Sequence, residues 1–166
     1  MAIEIERKFL LNENSLKQSG ALLTAEKSAI RQAYLSGSHD ASRPGNTVRV
    51  RIVGNQAFLT IKGPATGIRR SEFEYAIPVD DATQLLTLCI GHVISKTRYL
   101  IPVDGHVWEV DEFHGVHQGL WLAELELTHE HEPFSRPVWL ADDVSEDPRY
   151  HNSSLALQSV VAPICT

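Results

Sequence analysis

Cysteine is scarce in this 166-residue chain. Cys89 and Cys165 are the two present, far apart and without metal-ligand spacing. Free thiols and a reducing compartment are expected rather than a disulfide-stapled secreted fold. Positive charge is also in deficit, with 15 Lys and Arg against 21 Asp and Glu, a formal net charge of -6. Broad nucleic-acid binding runs on surplus Lys and Arg, so no nucleic-acid partner is expected, although a local basic pocket is compatible with the balance. No apolar run approaches the ~18 residues a spanning helix needs, so no membrane partner is expected either. The N-terminus is charged from Glu4, with no visible signal peptide. Internal repeats and low-complexity segments are lacking. These absences together predict a cytoplasmic protein. What remains is 43% hydrophobic and 22% charged, an ordinary globular composition in a length that suits one domain, 1–166, with a substantial core.

The chain is organised around residues 2–11. On a strand, successive side chains alternate between faces, so Glu4, Glu6 and Lys8 share one side while Ile3, Ile5 and Phe9 share the other. Residues 12–25 read as a turn and short helix, capped by Asn12 or Asn14, with Leu16, Leu22 and Leu23 facing inward. A second strand is expected over 28–36. Residues 37–46 are dense in turn formers and predict a mobile loop. Alternating strands follow at 47–53, 57–62 and 69–77, the first two joined by Gly54-Asn55. Residues 63–67 are too loose for a phosphate-cradling loop and read as a turn. A helix is predicted over 80–89, capped by Asp80 or Asp81, with Leu85, Leu86 and Leu88 buried. Strands over 93–103 and 107–113 flank Asp104-Gly105, a two-residue type I′ hairpin signal. The eighth strand spans 121–128. Beyond about residue 130, prolines punctuate a helical tail, 131–166, with a terminal helix over 152–160 carrying Leu155, Ala156 and Ser159. Eight strands joined mostly by short turns favour an α+β fold: an antiparallel sheet closed into a barrel, with a few flanking helices.

The charged faces carry the functional signal. Five pairs sit at i, i+2 spacing: Glu4/Glu6, Arg49/Arg51, Glu72/Glu74, Lys96/Arg98 and Glu124/Glu126. Any one pair alone is an ordinary solvated face, the norm in antiparallel sheets. Here each pair keeps one sign, and the signs segregate by strand. If the apolar faces pack outward against helices, the charged faces line the barrel. Uncompensated buried charge is very costly, so such an interior should be wet and hold a charged ligand. Arg and Lys suit phosphate oxygens. Carboxylate clusters suit hard cations, and magnesium commonly bridges to substrate phosphates. The residue types therefore point to a polyphosphate with Mg²⁺ or Mn²⁺. One ion would neutralise phosphate charge and a second would activate water for in-line attack.

The segment Glu4-Ile5-Glu6-Arg7-Lys8, followed in order by VRVRI, LTIKG, SEFEY, SKTRY, EVDEF and AELEL, resembles the CYTH superfamily of triphosphate tunnel metalloenzymes. The run from Glu146 to Asn152 resembles its short bacterial members, extending the likeness to nearly the whole chain. The resemblance implies a tunnel of eight antiparallel strands and a small-molecule triphosphate substrate. It implies phosphate contacts at Lys8, Arg49, Arg51, Lys62, Lys96 and Arg98. It implies metal binding, by two ions, at Glu4, Glu6, Asp111, Glu124 and Glu126, with Glu72 and Glu74 on the metal side or just behind it. Tyr34, in Arg31-Gln32-Ala33-Tyr34-Leu35, resembles a tyrosine that helps activate water together with a tunnel lysine, here Lys8 or Lys96; an ordinary strand aromatic is the plainer alternative.

Other candidates weigh less. His129-Glu130-His131 has metal-like types but falls past the last strand in a polar turn, and His114 and His117 read as solvated. Trp108, Trp121 and Trp139 suit a core better than base stacking. The leading expectation is a metal-dependent inorganic triphosphatase. A class IV adenylate cyclase would also need an adenine site, of which there is no convincing signature. Thiamine or nucleoside triphosphate hydrolysis, and a polyphosphate-binding module without turnover, complete the alternatives. The latter should have lost its carboxylates, and here both charge sets are present. The sequence leaves the oligomeric state open, a homodimer among the options.

Overall fold

The computed structural model describes residues 2–36 and 45–158. Nine strands form one sheet: β1 (Ala2–Leu11), β2 (Glu26–Ser36), β3 (Thr47–Val53), β4 (Gln56–Lys62), β5 (Arg69–Ile77), β6 (Ile90–Val103), β7 (His106–Phe113), β8 (Trp121–Glu126) and β9 (Leu140–Asp143). The order β5-β4-β3-β2-β6-β7-β8-β1 closes on itself because β1 also pairs with β5. Eight antiparallel strands thus make a barrel. One long strand serves both neighbours on its open side: Ala2 to Ile5 pairs with β5, and the stretch from Phe9 to Leu11 pairs with β9. Closure leaves the eight barrel strands no long unpaired edge.

Turn chemistry sets the hairpins. Asp104 and Gly105 both have positive φ, 47° and 84°, as a type I′ turn requires. Asn12 caps α1 (Glu13–Ser19) by accepting the Ser15 N–H at 2.9 Å, and left-handed Gly20 ends it before α2 (Ala21–Thr24). Leu16 is buried as expected, whereas Leu23 is 90% exposed, because the chain breaks at Gly20 and rotates it away from the core. The third helix, α3 (Val79–Leu85), starts one residue early after Pro78, with no side-chain cap, and passes into a 3₁₀ turn over Leu86–Leu88. The tighter turn ends the expected stripe: Leu86 is buried and Leu88 is exposed.

Three apolar clusters follow from the alternation. Ile5, Phe9, Trp108, Val110, Ala123 and Leu125 form the outer face of β1, β7 and β8, and Leu16 and Trp139 cover them. The three tryptophans are core residues, at most 7% exposed. Ala33, Val50 and Ala57 pack outward against Ala82 and Leu86. The third cluster lies inside the barrel. Register places Phe113 beside Lys96 and Leu122 beside Asp111, on the inward face. With Tyr34 and Ile94 they meet Tyr150, Leu155 and Ala156 of the tail. The tail contains β9, a 3₁₀ turn at Pro148–Tyr150 and α4 (Asn152–Leu155). One end of the interior is therefore filled with hydrocarbon, not charge. His117 belongs to this plug: it is buried, its Nε2 2.6 Å from the Leu155 carbonyl oxygen, and not solvated as its loop position suggests. The greater part of the loop expected over 37–46, together with Ser159 and Cys165, lies outside the described residues. No helix among them is long and apolar enough to cross a membrane.

Candidate active site

Above the plug, the barrel encloses a cavity of about 480 Å³, and Lys, Arg and Glu side chains make up more than half of its lining residues. Paired residues of adjacent antiparallel strands share a face, so register builds this wall directly. Lys8 pairs with Glu124 and Glu6 with Glu126 across β1 and β8. Arg49 lies between Tyr34 and Thr60, and Glu74 beside Thr60. Lys62 faces Glu72, and Arg70 faces Glu4.

The charges form linked groups. Glu4 accepts from Lys62 Nζ at 2.7 Å and from Arg70 Nε at 2.8 Å. Burial pushes this carboxyl up, but the two cations prevail and hold it at about 2. Glu74 accepts from Thr60 Oγ1 at 2.8 Å and from an Arg51 guanidinium at 3.3 Å. Arg98 lies at the centre of the second group: it clamps Asp111 through two nitrogens, at 2.8 and 2.7 Å, and reaches Glu124 at 3.0 Å. Lys8 Nζ stands 3.2 Å from the other Glu124 oxygen and donates to the Tyr150 carbonyl at 3.1 Å. Burial works against the charge on Lys8, yet Glu124 and Glu6 outweigh it and raise its affinity for the proton. Glu124 is itself held well below the usual carboxylate range: burial is overruled by Lys8 and Arg98.

Glu6 and Glu126 are the exceptions: among the described residues neither has an ion-pair partner. Burial, with Glu124 and Glu4 alongside, pushes Glu6 up to about 8. A half-buried carboxylate with two like neighbours calls for a cation. Its donor chemistry fits a hard divalent ion: Glu4, Glu6, Glu124 and Glu126 lie on two adjacent strands and offer oxygen alone. Among the described residues no three carboxylate or imidazole groups already converge as a preformed centre. Glu4, Glu72, Glu74, Glu109 and Glu124 close on the bases instead, so most of the wall's charge is paired within the wall.

Of the residues singled out from sequence, Glu4, Glu6, Lys8, Tyr34, Arg49, Arg51 and Lys62 reach the cavity, as do Glu72, Glu74, Arg98, Glu124 and Glu126. Lys96 and Asp111 do not. Their side chains are 1% and 0% exposed, joined at 2.6 Å, with Lys96 Nζ over the Phe113 ring. They sit where the ionic wall meets the plug, one register step too deep. Burial lowers the Lys96 pKa by more than Asp111 restores. Two further charges line the cavity, Arg70 and Glu109. Both alternate correctly with site residues on β5 and β7, and that periodicity was the signal available. The tail contributions, Ser145, His151, Asn152 and Ser153, have no such period, and only the resemblance of the run from Glu146 to Asn152 points there. The His129-Glu130-His131 turn is exposed and stands outside this cavity.

Comparison with known proteins agrees with this architecture. Residues 2–158 match the CYTH domain model. The chain is 42% identical over 156 residues to the inorganic triphosphatase of Acetivibrio thermocellus, covering 93% of this chain and 94% of that protein. It is 35% identical over 158 residues to the inorganic triphosphatase of Nitrosomonas europaea, covering 93% and 97%. Among solved structures it superposes on the inorganic triphosphatase NE1496 with a TM-score of 0.64 and 32% identity, over 95% of this chain and 97% of that one. With a match running from the first strand to the tail, the chain belongs to the CYTH domain family.

Proposed function

We propose that this protein hydrolyses inorganic tripolyphosphate to pyrophosphate and phosphate inside the barrel, with a divalent cation, Mg²⁺ or Mn²⁺, as its cofactor. The observation that carries the reading is the charge balance of the cavity. Seven glutamates and six Lys or Arg side chains line it. The six bases cannot neutralise those glutamates and an incoming polyanion together, so the polyanion is accommodated only with cations. The relatives at 42% and 35% identity, both inorganic triphosphatases, support the same substrate class.

Arg49, Arg51, Lys62 and Arg70 bind phosphate oxygens, leaving the glutamates that now hold them. Glu6, with Glu4, Glu124 and Glu126, holds the cation, and the remaining carboxylates leave donors for a second. When bound, the cation neutralises phosphate charge and makes water more acidic. Lys8 spends two of its three donor directions on Glu124 and Tyr150, which leaves one for a phosphate oxygen or the attacking water. Its raised pKa suits a charge stabiliser rather than a resting base. Tyr34, on the wall beside Arg49, shares the orientation of that water. Lys96 and Asp111 act behind the wall by fixing Arg98. The curated relatives are inorganic triphosphatases, not cyclases, so the cyclase reading gains nothing.

Phosphorus NMR of the products tests the proposal. Tripolyphosphate and ATP are supplied separately with Mg²⁺. Phosphate and pyrophosphate in equal amounts from tripolyphosphate, with ATP little touched, is the expected result. Cyclic nucleotide from ATP, or no turnover of either compound, would overturn it.

A further inference from the structure

The tail does more than fill the end of the barrel. Residues 150–152 touch both members of the Lys8–Glu124 ion pair. The Tyr150 carbonyl accepts from Lys8 Nζ at 3.1 Å, and Asn152 Nδ2 donates to Glu124 Oε1 at 3.3 Å. Glu124 lies between two cations, Lys8 Nζ at 3.2 Å and an Arg98 guanidinium nitrogen at 3.0 Å, and its oxygens accept from both. The amide nitrogen of Asn152 must therefore face it, and Oδ1 must face away. That Oδ1 is buried and has no partner among the described residues, although Asn152 lines the cavity. Local structure does not consume the amide, because no side chain caps the turn at α4. The support beneath it is firm: Leu155 and Ala156 are fully buried, and His117 and the His92 N–H hold their carbonyls.

We propose that Asn152 is a positioning residue for hydrolysis. Its Nδ2 fixes the Glu124 carboxylate for the cation. This rests on the triphosphatase reading and deepens it. Groups that orient a ligating carboxylate are typically worth about 10–100-fold in metal affinity or activity.

The test uses Mn²⁺ alone, titrated into the full chain without substrate and followed by electron paramagnetic resonance. Steady-state kinetics and melting curves run alongside. For Asn152→Ala the proposal expects Mn²⁺ affinity to fall about 10-fold. The kcat should fall by a similar factor, with KM for tripolyphosphate within about 2-fold. Asn152→Asp keeps the shape but sets a carboxylate against Glu124, and should bind Mn²⁺ no better than the alanine variant. Leu155→Ala, which loosens the tail and leaves the amide in place, should lower Tm but keep Mn²⁺ affinity within about 2-fold. Wild-type Mn²⁺ affinity and kcat in both Asn152 variants would overturn the proposal. So would an equal loss of affinity in Leu155→Ala, since packing rather than the amide would then be responsible. A wild-type chain that takes up no Mn²⁺ would remove the metal-dependent reading along with it.

Discussion

At the scale of single residues, the site is a set of charges held in check by one another, and three of them make separable predictions. Glu6 is raised from 4.5 to about 8 in the folded chain by burial and by Glu124 and Glu4. Between those values the unfolded chain has lost this proton while the folded chain keeps it. Stability of the metal-free protein therefore falls as pH rises from about 4.5 to about 8. Glu6→Gln removes that component, so the variant should match wild type near pH 5 and melt higher near pH 8. Melting curves in EDTA across this range check it, and a gap that does not change with pH would count against it. Glu4 runs the other way: its stabilising pair with Lys62 and Arg70 is lost only as pH falls from 4.5 toward about 2. Lys96 tests the distinction between wall and support. It is sealed against Asp111, so Lys96→Met should cost about 3 kcal/mol in urea unfolding by leaving a buried carboxylate undercompensated. An unchanged midpoint would show that Arg98 alone satisfies Asp111.

At the scale of elements, the strands do the positioning and the tail closes the end. Gly91 shows how closely the two fit. Its φ is +70°, and a Cβ there would lie 2.1 Å from the Ala156 carbonyl oxygen. Gly91→Ala should therefore lift the tail from the barrel and expose the Tyr150–Ala156 stretch. Limited proteolysis should cut the variant within the tail under conditions where wild type resists, and equal resistance would show that the contact is not needed. The strands were legible because their chemistry repeats every second residue: VRVRI, SEFEY and SKTRY declare both their conformation and their faces. The tail was not. β9 has four residues, two of them aspartates, and follows a proline-broken loop, so no period could build up. His117 was misplaced for the same reason, its burial being imposed by Leu155, distant in sequence.

At the scale of the whole molecule, closure turns alternation into a cavity, and the apolar plug decides where the cavity stops. Sequence shows which residues share the inner face, but not how deep each lies. Depth comes from the stagger of the strands around the barrel. That is why Lys96 and Asp111, on the right face with the right charges, end up beneath the wall, while Arg70 and Glu109 reach it. The largely paired wall also makes a global prediction. Tripolyphosphate with Mn²⁺ should stabilise the fold by several degrees in Tm, and either component alone should do much less, because each leaves charge uncompensated. At 100 times its Kd a ligand contributes about 2.7 kcal/mol. Additive shifts from the two components would contradict this coupling.

The measurement that tests the central claim most directly is anomalous scattering from Mn²⁺ in crystals grown with a non-hydrolysable triphosphate analogue. The account predicts a Mn²⁺ peak against Glu6 and its neighbours on β1 and β8, with phosphates on Arg49, Arg51 and Lys62. Manganese and phosphate bound outside the barrel, with the interior ion pairs intact, would contradict it.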